Sequence, residues 1–400
     1  MVIATLIVRL LSPSPYYFAS SILTISEAKQ SNNLTINFFK MKQLIYYSIF
    51  AFCIIVLAGC SADIAELKKD AKVAMKGKDY EQAEKLYGRL IKKENKKPLH
   101  YYYRGKARLE LEKYEDAIDD FTKGIALGND VDSFFVERGK AYYALDNYEK
   151  AEKDFNKALQ INDVVGTATV AYCGRALIHY EKMEFEYAVF NYNAAIKVDA
   201  KNHIAYNGRG MSKMKMGYYE PAIMDFELAI AFTNKNAYAY NGRARCYHKL
   251  AEYDEAIMDY DKAVKYEPTN SRYVYNRGIT YQSLNKHNEA VKDFEKALDL
   301  DDENIQAWVE LGNSFADLKR FESAMKAFDG AMKISKKYPY THYSKGTTYY
   351  KWGKSSAAIT EFDKCIAMYP EYAYAFFYKA EANSQLGNRS AACRDWRTAY

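Results

Sequence analysis

The 400-residue sequence predicts an all-α protein, a solenoid of about ten stacked helical hairpins. Three periodic observations lead to this expectation. Ten alanines, Ala83, Ala117, Ala151, Ala188, Ala222, Ala256, Ala290, Ala324, Ala358 and Ala392, recur at steps of 34 residues, with one step of 37 between Ala151 and Ala188. Twelve positions before each stands a small residue: Ala71, Gly105, Gly139, Ala176, Gly210, Ala244, Gly278, Gly312, Gly346 and Ala380. Four positions after each stands an aromatic: Tyr87, Phe121, Phe155, Tyr192, Phe226, Tyr260, Phe294, Phe328, Phe362 and Trp396. A fixed period in this range marks repeated supersecondary units rather than one globular core.

The internal spacings identify the unit. Small residues also follow each alanine by seven, from Gly124 and Ala158 to Cys365 and Ala399, with Leu90 the one large exception. Offsets of four and seven lie on one face of an α-helix. The small residue twelve earlier therefore sits on a preceding helix. Turns as short as Leu145-Asp146-Asn147 and Leu250-Ala251-Glu252 force the two helices antiparallel. Gly or Ala at their meeting points lets the helices approach closely, and the aromatic fills the space beside them.

Taken in order, residues 1–40 hold a weak apolar stretch, Ser-Pro-Ser-Pro at Ser12 to Pro15, and a polar tract at Ser31 to Asn33. They are read as an extension upstream of the true start at Met41 and set aside from the fold. Residues 41–59 begin with Met41-Lys42, continue through an apolar run from Leu44 to Leu57, and lead into Leu57-Ala58-Gly59-Cys60. This segment resembles a bacterial lipoprotein signal peptide with its lipobox. The resemblance implies cleavage between Gly59 and Cys60 and lipidation of the Cys60 thiol. The run is short for a membrane span, which needs about 20 residues, whereas two or more acyl chains give a stable anchor. Ser61 after the lipidated cysteine is compatible with passage to the outer membrane, so the expected location is the cell envelope, anchored there.

Residues 60–98 form the first unit and carry eleven Lys/Arg against seven Asp/Glu. Asp63 and Glu66 read as a capping box opening its first helix. Lys68, Lys69, Lys72 and Lys76 would then lie beside the bilayer, facing either anionic headgroups or water. Residues 99–400 hold the remaining nine units, and the last stops at Tyr400 inside its second helix.

The units resemble the tetratricopeptide repeat from Cys60 to Tyr400. Tyr240-Asn241-Gly242-Arg243-Ala244, Tyr253-Asp254-Glu255-Ala256, Tyr260, Ala263 and Pro268 follow its pattern, as do Trp308, Leu311 and Gly312. Ser355 and Arg389 depart from it where most units have an aromatic. The resemblance implies a right-handed superhelix whose first helices line a concave face, and a role in protein–protein interaction.

Aligning the units with one another exposes a charge pattern. Arg104, Arg138, Arg175, Arg209, Arg243 and Arg277 precede the small residue, while Asp120, Asp154, Asn191, Asp225, Asp259 and Asp293 follow the alanine by three. In an antiparallel hairpin these positions sit at one height on facing helices, which predicts a repeated ion pair. Both charges vanish together at Leu311 and Ala327. Lys345 with Glu361 and Lys379 with Asp395 would continue the series.

Composition narrows the chemistry. Beyond residue 59 there are 53 Lys/Arg against 50 Asp/Glu, too even a balance for a nucleic-acid binder. Cys173, Cys246, Cys365 and Cys393 fall in different units without CxxC spacing and read as packing residues, not a metal site. No HExxH, GxSxG or Walker loop is present, so neither a catalytic role nor a cofactor is expected.

Binding is left. By register, the concave face would include Tyr102, Lys106, Val136, Lys140, Asn207, Met211, Asn241, Arg245, His248, Tyr275, Ile279, Asn313 and Tyr343. Asn207 and Asn241 occupy equivalent places in adjacent units, and side-chain amides can both donate to and accept from a peptide backbone. Tyr275, Tyr343 and Phe377 offer aromatic platforms. From Tyr102 to Phe377 the register of Asn207 and Asn241 holds no lysine, which excludes the two-carboxylate clamp of chaperone-binding repeats along those units. The expected function is a lipid-anchored envelope scaffold holding a protein or extended peptide in its groove. The alternatives are a regulator or recruiter of a cell-wall enzyme, and a peptidoglycan- or glycan-binding lipoprotein using some of the 39 tyrosines.

Overall fold

The structure is a computed structural model that describes residues 46–48, 63–128, 131–161 and 165–399. Gly59 and Cys60, with most of the leader, lie outside the described residues. Twenty helices follow in order, with no strand among the described residues. They are α1 (63–76), α2 (Tyr80–Lys93), α3 (Pro98–Glu110), α4 (Tyr114–Ala126), α5 (Asp132–Ala144), α6 (Tyr148–Ile161) and α7 (Val165–Glu181). Next come α8 (Phe185–Val198), α9 (His203–Lys215), α10 (Tyr219–Phe232), α11 (Ala237–Lys249), α12 (Tyr253–Tyr266) and α13 (Ser271–Ser283). The series closes with α14 (His287–Leu300), α15 (Ile305–Asp317), α16 (Phe321–Ile334), α17 (Pro339–Lys351), α18 (Ser355–Met368), α19 (Ala373–Gln385) and α20 (Arg389–Ala399).

The chain divides into two compact units after Leu111. In the first, α1, α2 and α3 close on Leu67, Ala71, Ala83, Leu86, Tyr87, Leu90 and Ala107. The Asp63 carboxylate, expected to cap α1, engages Lys93 of α2 instead. Lys68 pairs with Glu94 at 2.8 Å, while Lys69, Lys72 and Lys76 remain exposed.

The second unit is an α-solenoid of hairpins. Odd-numbered helices are the first (A) and even-numbered the second (B) members of each pair. Within every hairpin the turn holds one residue with positive φ, at 34-residue intervals that keep the one step of 37. Most are not glycine, as at Asp146, Met183, Ala251, Asn285 and Lys319; Gly217, Gly353 and Gly387 serve the other three. This left-handed residue ends the A helix and reverses the chain. The three extra residues of the long step lengthen α7, which has 17 residues where the other A helices of this unit have 13.

Each A helix packs against the next A helix as well as against its B partner, and no B helix packs on the next B helix comparably. Neighbours drawn together on one side only must curve the stack toward that side. The A helices therefore line the inner face of this unit.

The B-helix aromatics set the A-to-A approach. A Cβ added at Gly139 would lie 2.9 Å from Phe155, and one at Gly174 of the next A helix 2.4 Å from the same ring. Phe226 fills the same place between Gly210 and Gly242. The pairing is selective along the whole sequence: Phe faces Gly, and Tyr or Trp faces Ala. Tyr260 bonds through its hydroxyl to Thr280 on the next A helix, and the Tyr192 hydroxyl end abuts Gly208 of the next A helix. A ring drawn forward in this way leaves room for a methyl behind it.

The arginine series is realised as forks. Arg138 donates to both oxygens of Asp154 at 2.7 and 2.8 Å, Arg243 to Asp259 at 2.6 and 2.9 Å, and Arg277 to Asp293 at 2.8 and 2.6 Å. Arg209 straddles Asp225, where Lys213 joins at 2.8 Å. Each of these aspartates is buried. The fork to Asp293, outweighing desolvation, holds the Arg277 guanidinium above its ordinary pKa. A third N–H reaches back to the preceding B helix, to Thr122 from Arg138 (3.0 Å), Asn193 from Arg209 (2.6 Å) and Asp261 from Arg277 (2.6 Å). One guanidinium thus ties three helices.

One pair of the series differs from expectation. Lys345 pairs with Asp329 at 3.1 Å, not with Glu361. Glu361 is taken by His342 at 2.7 Å and Lys364 at 2.9 Å, because His342 stands where other units carry an aromatic or aliphatic residue and the longer glutamate reaches it. Lys379 pairs with Asp395 at 3.6 Å, as the series expects, and also with Asp363 of the preceding B helix at 2.8 Å. In the hairpin of α7 and α8, Arg175 Nε and Asn191 Oδ1 are both buried without a partner.

Two outcomes test this framework. Gly312→Ala gains about 1 kcal/mol of helix propensity but forces a methyl to 2.4 Å from Phe328, an overpacking cost of about 1–3 kcal/mol, so thermal denaturation should show net loss. Adding Phe328→Tyr should recover part of it, and strict additivity would contradict the Gly–Phe rule. Asn191→Asp should give Arg175 the carboxylate that the other units supply and stabilise by about 1–2 kcal/mol, read as a rise in Tm; an unchanged or lower Tm would deny that Arg175 is an orphaned staple.

Candidate functional site on the inner helix face

Among the cavities of the second unit, two lie across consecutive A helices, and an acidic nook accompanies them; Phe377 lines a further cavity on α19. The first cavity, of about 300 Å³, lies across α9, α11 and α13. Met214, Lys215, Tyr219, Arg245, His248, Lys249, Tyr260, Asn276 and Ile279 line it. Its lining has three cations and an imidazole but no acid. Arg245, Lys215 and Lys249 make no ion pair among the described residues. Lys215, His248 and Lys249 occupy last turns of helices, where the macrodipole favours positive charge. Arg245 sits one turn earlier and lacks that explanation.

His248 is fixed by Thr280. The two lie 3.1 Å apart, and Thr280 gives its own proton to the Asn276 carbonyl at 2.9 Å. His248 Nδ1 is therefore the donor, which leaves Nε2 without a proton in the neutral ring. Burial, with Lys249 adding to it, lowers the His248 pKa.

The second cavity, of about 290 Å³, spans α5, α7 and α9 and is apolar through Tyr143, Phe155, Val170, Cys173, Leu177 and Ile204. Lys140 is at its edge, held by Glu137 at 3.2 Å. Leu177 and Ile204 are exposed at its mouth.

The acidic nook is on α15. Glu310 has no cationic partner among the described residues. Its carboxylate accepts from Asn313 Nδ2 at 3.1 Å and Gln282 Nε2 at 3.3 Å, and Gln282 also donates to the Glu310 carbonyl and to Ser314. Burial raises the Glu310 pKa, opposed by hydrogen bonds from Asn313, Gln282 and Tyr340. Burial and then Glu310 push the Tyr340 pKa up to about 12.

The residues expected in the groove are distributed unequally. Arg245, His248 and Ile279 come together in the first cavity, and Lys140 borders the second. Asn207 and Asn241 are buried and already employed between repeats. Asn207 donates to Asn236 at 3.3 Å, which itself caps α11 at Ala239 N, and Asn241 accepts from Asn276 at 3.0 Å. They are inter-repeat ties more than open hands, although Asn207 Oδ1 is left without a partner. Met211 packs into the core around Phe226. Tyr275 leans on Phe294, and Tyr343 is enclosed by Tyr340, Phe362, Tyr372 and Tyr378. Tyr102 and Lys106 pair with each other on α3 in the first unit, 5.6 Å from ammonium to ring.

Glu310, Lys215, Lys249 and Gln282 were not singled out from sequence. The unit-to-unit alignment carries the signal for Glu310, which takes the place of Gly174, Gly208 and Gly242 two residues before the small position. Burial pushes the thiols of Cys173 and Cys246 up to about 12 and that of Cys365 to about 11, as suits packing groups. Cys393, expected among them, is exposed on the outer side of α20.

Comparison with known proteins gives a consistent picture. Models described as tetratricopeptide repeat match residues 134–163, 237–270 and 272–304, residues 69–132, and residues 203–236, 305–338 and 339–372. Together they cover more than half of the chain and pass over the hairpin of α7 and α8, where the long step falls. Among solved structures, the chain is similar to a tetratricopeptide repeat protein from Parabacteroides merdae (18% identity, TM-score 0.50, covering 58% of this chain and 91% of that one). It is also similar to pilF of Pseudomonas aeruginosa (18%, 0.48, 54% and 99%) and to YrrB, described as having an unusual peptide-binding site (21%, 0.40, 46% and 95%). No curated protein matches the sequence.

Proposed function

The chain belongs to the tetratricopeptide-repeat family, and from that premise we propose that it is a non-enzymatic docking scaffold whose A-helix face holds a polypeptide. One observation carries this reading. Arg175 apart, the arginines between helices of the second unit are neutralised by buried aspartates, whereas Arg245 and Glu310 on the inner face have no ion partner among the described residues. Half-buried charges without partners are costly to the free protein and useful to a complex. Recruitment or regulation of an envelope enzyme would use the same face. A glycan-binding reading has less support, since Tyr340, Tyr343, Tyr372 and Tyr378 pack largely against one another.

A rival surface exists on the outer side. Phe190, Met224 and Met258 stand at one register on α8, α10 and α12 and are 62–68% exposed. A photo-crosslinking residue at Lys249 should trap polypeptide in intact cells, and one at Met258 should not. Adducts confined to Met258 would move the interface to the outer face, and none at either position would reject docking.

The proposal extends to the membrane. The lipobox at Leu57 to Cys60, followed closely by exposed Lys69, Lys72 and Lys76, supports a lipid anchor in the cell envelope, with Ser61 permitting passage to the outer membrane. No helix among the described residues is long and apolar enough to cross a membrane. Cells grown with a clickable fatty acid should label the full chain and not Cys60→Ala. Equal labelling of the two, or none of either, would reject the anchor.

A further inference from the structure

Three features of the inner face are evenly spaced in the order of helices. The apolar cavity is centred on α7, the cationic cavity on α11 and Glu310 on α15. Each interval is two A-helix steps, and adjacent A helices are in contact. At about 8–10 Å per packed helix pair, an interval is about 16–20 Å, or five to six residues of extended chain at about 3.3 Å each.

The chemistry of each place is distinct. The α7 cavity offers Leu177 and Ile204 at its mouth and room for one large side chain. The α11 cavity offers the unpaired Arg245 with Lys215, Lys249 and the neutral His248, a setting that takes an anion. Glu310 sits among hydrogen-bond donors with Tyr340 beside it and lacks only a cation. A bound cation would offset, by charge attraction, the desolvation that now raises its pKa.

Resting on the docking role above, we propose that the inner face reads an extended partner segment in a fixed order: a large apolar side chain over α7, an Asp or Glu carboxylate about six residues along over α11, and a Lys or Arg about six further over α15. The occupant is a polypeptide of alternating character, not an acidic tail. The order of charges, rather than net charge, selects it.

The test uses the full chain in detergent and two fluorescein-labelled peptides of Gly/Ser with Leu, Glu and Lys at six-residue spacing. One has the order Leu–Glu–Lys and the other Leu–Lys–Glu, so composition and net charge are equal. Fluorescence anisotropy should show the first binding about tenfold or more tightly, and weakening as salt rises. The double reversal R245E/E310K should invert the preference. Arg245 belongs to no interhelical ion pair among the described residues, E310K gives up the bonds from Gln282 and Tyr340, and the wild-type comparison stands even if the variant misfolds. Equal binding of both peptides, or binding of neither at millimolar concentration, overturns the proposal. The crosslinks at Lys249 separate this failure from that of docking itself. Adducts that persist unchanged in R245E/E310K keep the scaffold and reject the charge order, whereas no adducts in wild type reject both.

Discussion

The stack rests on one contact: a B-helix ring clamped between two A helices that have almost no side chain where it lies. Phe155 between Gly139 and Gly174 and Phe226 between Gly210 and Gly242 show the arrangement most fully. Each ring makes its own hairpin and also joins it to the next, so intra-repeat and inter-repeat stability come from the same group. Because the glycines are on the A side, only the A helices are drawn together. Curvature follows from that asymmetry, and with it an inner face on which successive A helices sit side by side. Such stacks are stabilised by nearest-neighbour terms, so a defect in one clamp weakens two hairpins.

The arginine staples act on that frame in a different way. Burying a guanidinium with an aspartate stabilises little against an apolar pair of the same shape, since desolvation offsets most of the attraction. The directional fork does fix relative height. Arg277 holds Asp293 on its own B helix and Asp261 on the preceding one, and a slip of one residue along either helix would break both. The hairpin of α7 and α8 shows what happens when part of this is withdrawn. It has the longer first helix and an orphaned Arg175, and the adjacent apolar cavity contains Gly174. Local irregularity and the apolar opening coincide.

Periodicity made the fold legible before any coordinates. Ala83 and its nine successors fixed the hairpin count, and the joint loss at Leu311 and Ala327 pointed to the ion pairs. The backward reach of each arginine was also present, in the polar run Thr122, Asn193, Glu227 and Asp261, but only a three-dimensional neighbour relation gives that run a meaning. The binding face was less legible. Register alone put Asn207 and Asn241 in the groove, yet side-chain amides at a helix junction satisfy one another first, through Asn236 and Asn276. Glu361 was misassigned because a single substitution, His342, offered a nearer partner than the lysine of the series. Pair patterns hold while every member of the shell repeats, and fail where one neighbour changes.

The repeats also supply their own controls for the inner face. The position of Arg245 is filled by Met211 one unit earlier and Ile279 one unit later, and that of Glu310 by glycine in three units. Apolar or absent side chains therefore satisfy the stack at both places, and satisfy it at lower desolvation cost. The helix dipole explains lysines at the ends of α9 and α11 but not a guanidinium a turn inside. Packing does not require Glu310, whose carboxylate needs three neutral donors to remain buried. Two charges that the fold could do without, of opposite sign and on the face where curvature concentrates side chains, are the part of this structure that a partner accounts for and the solenoid alone does not.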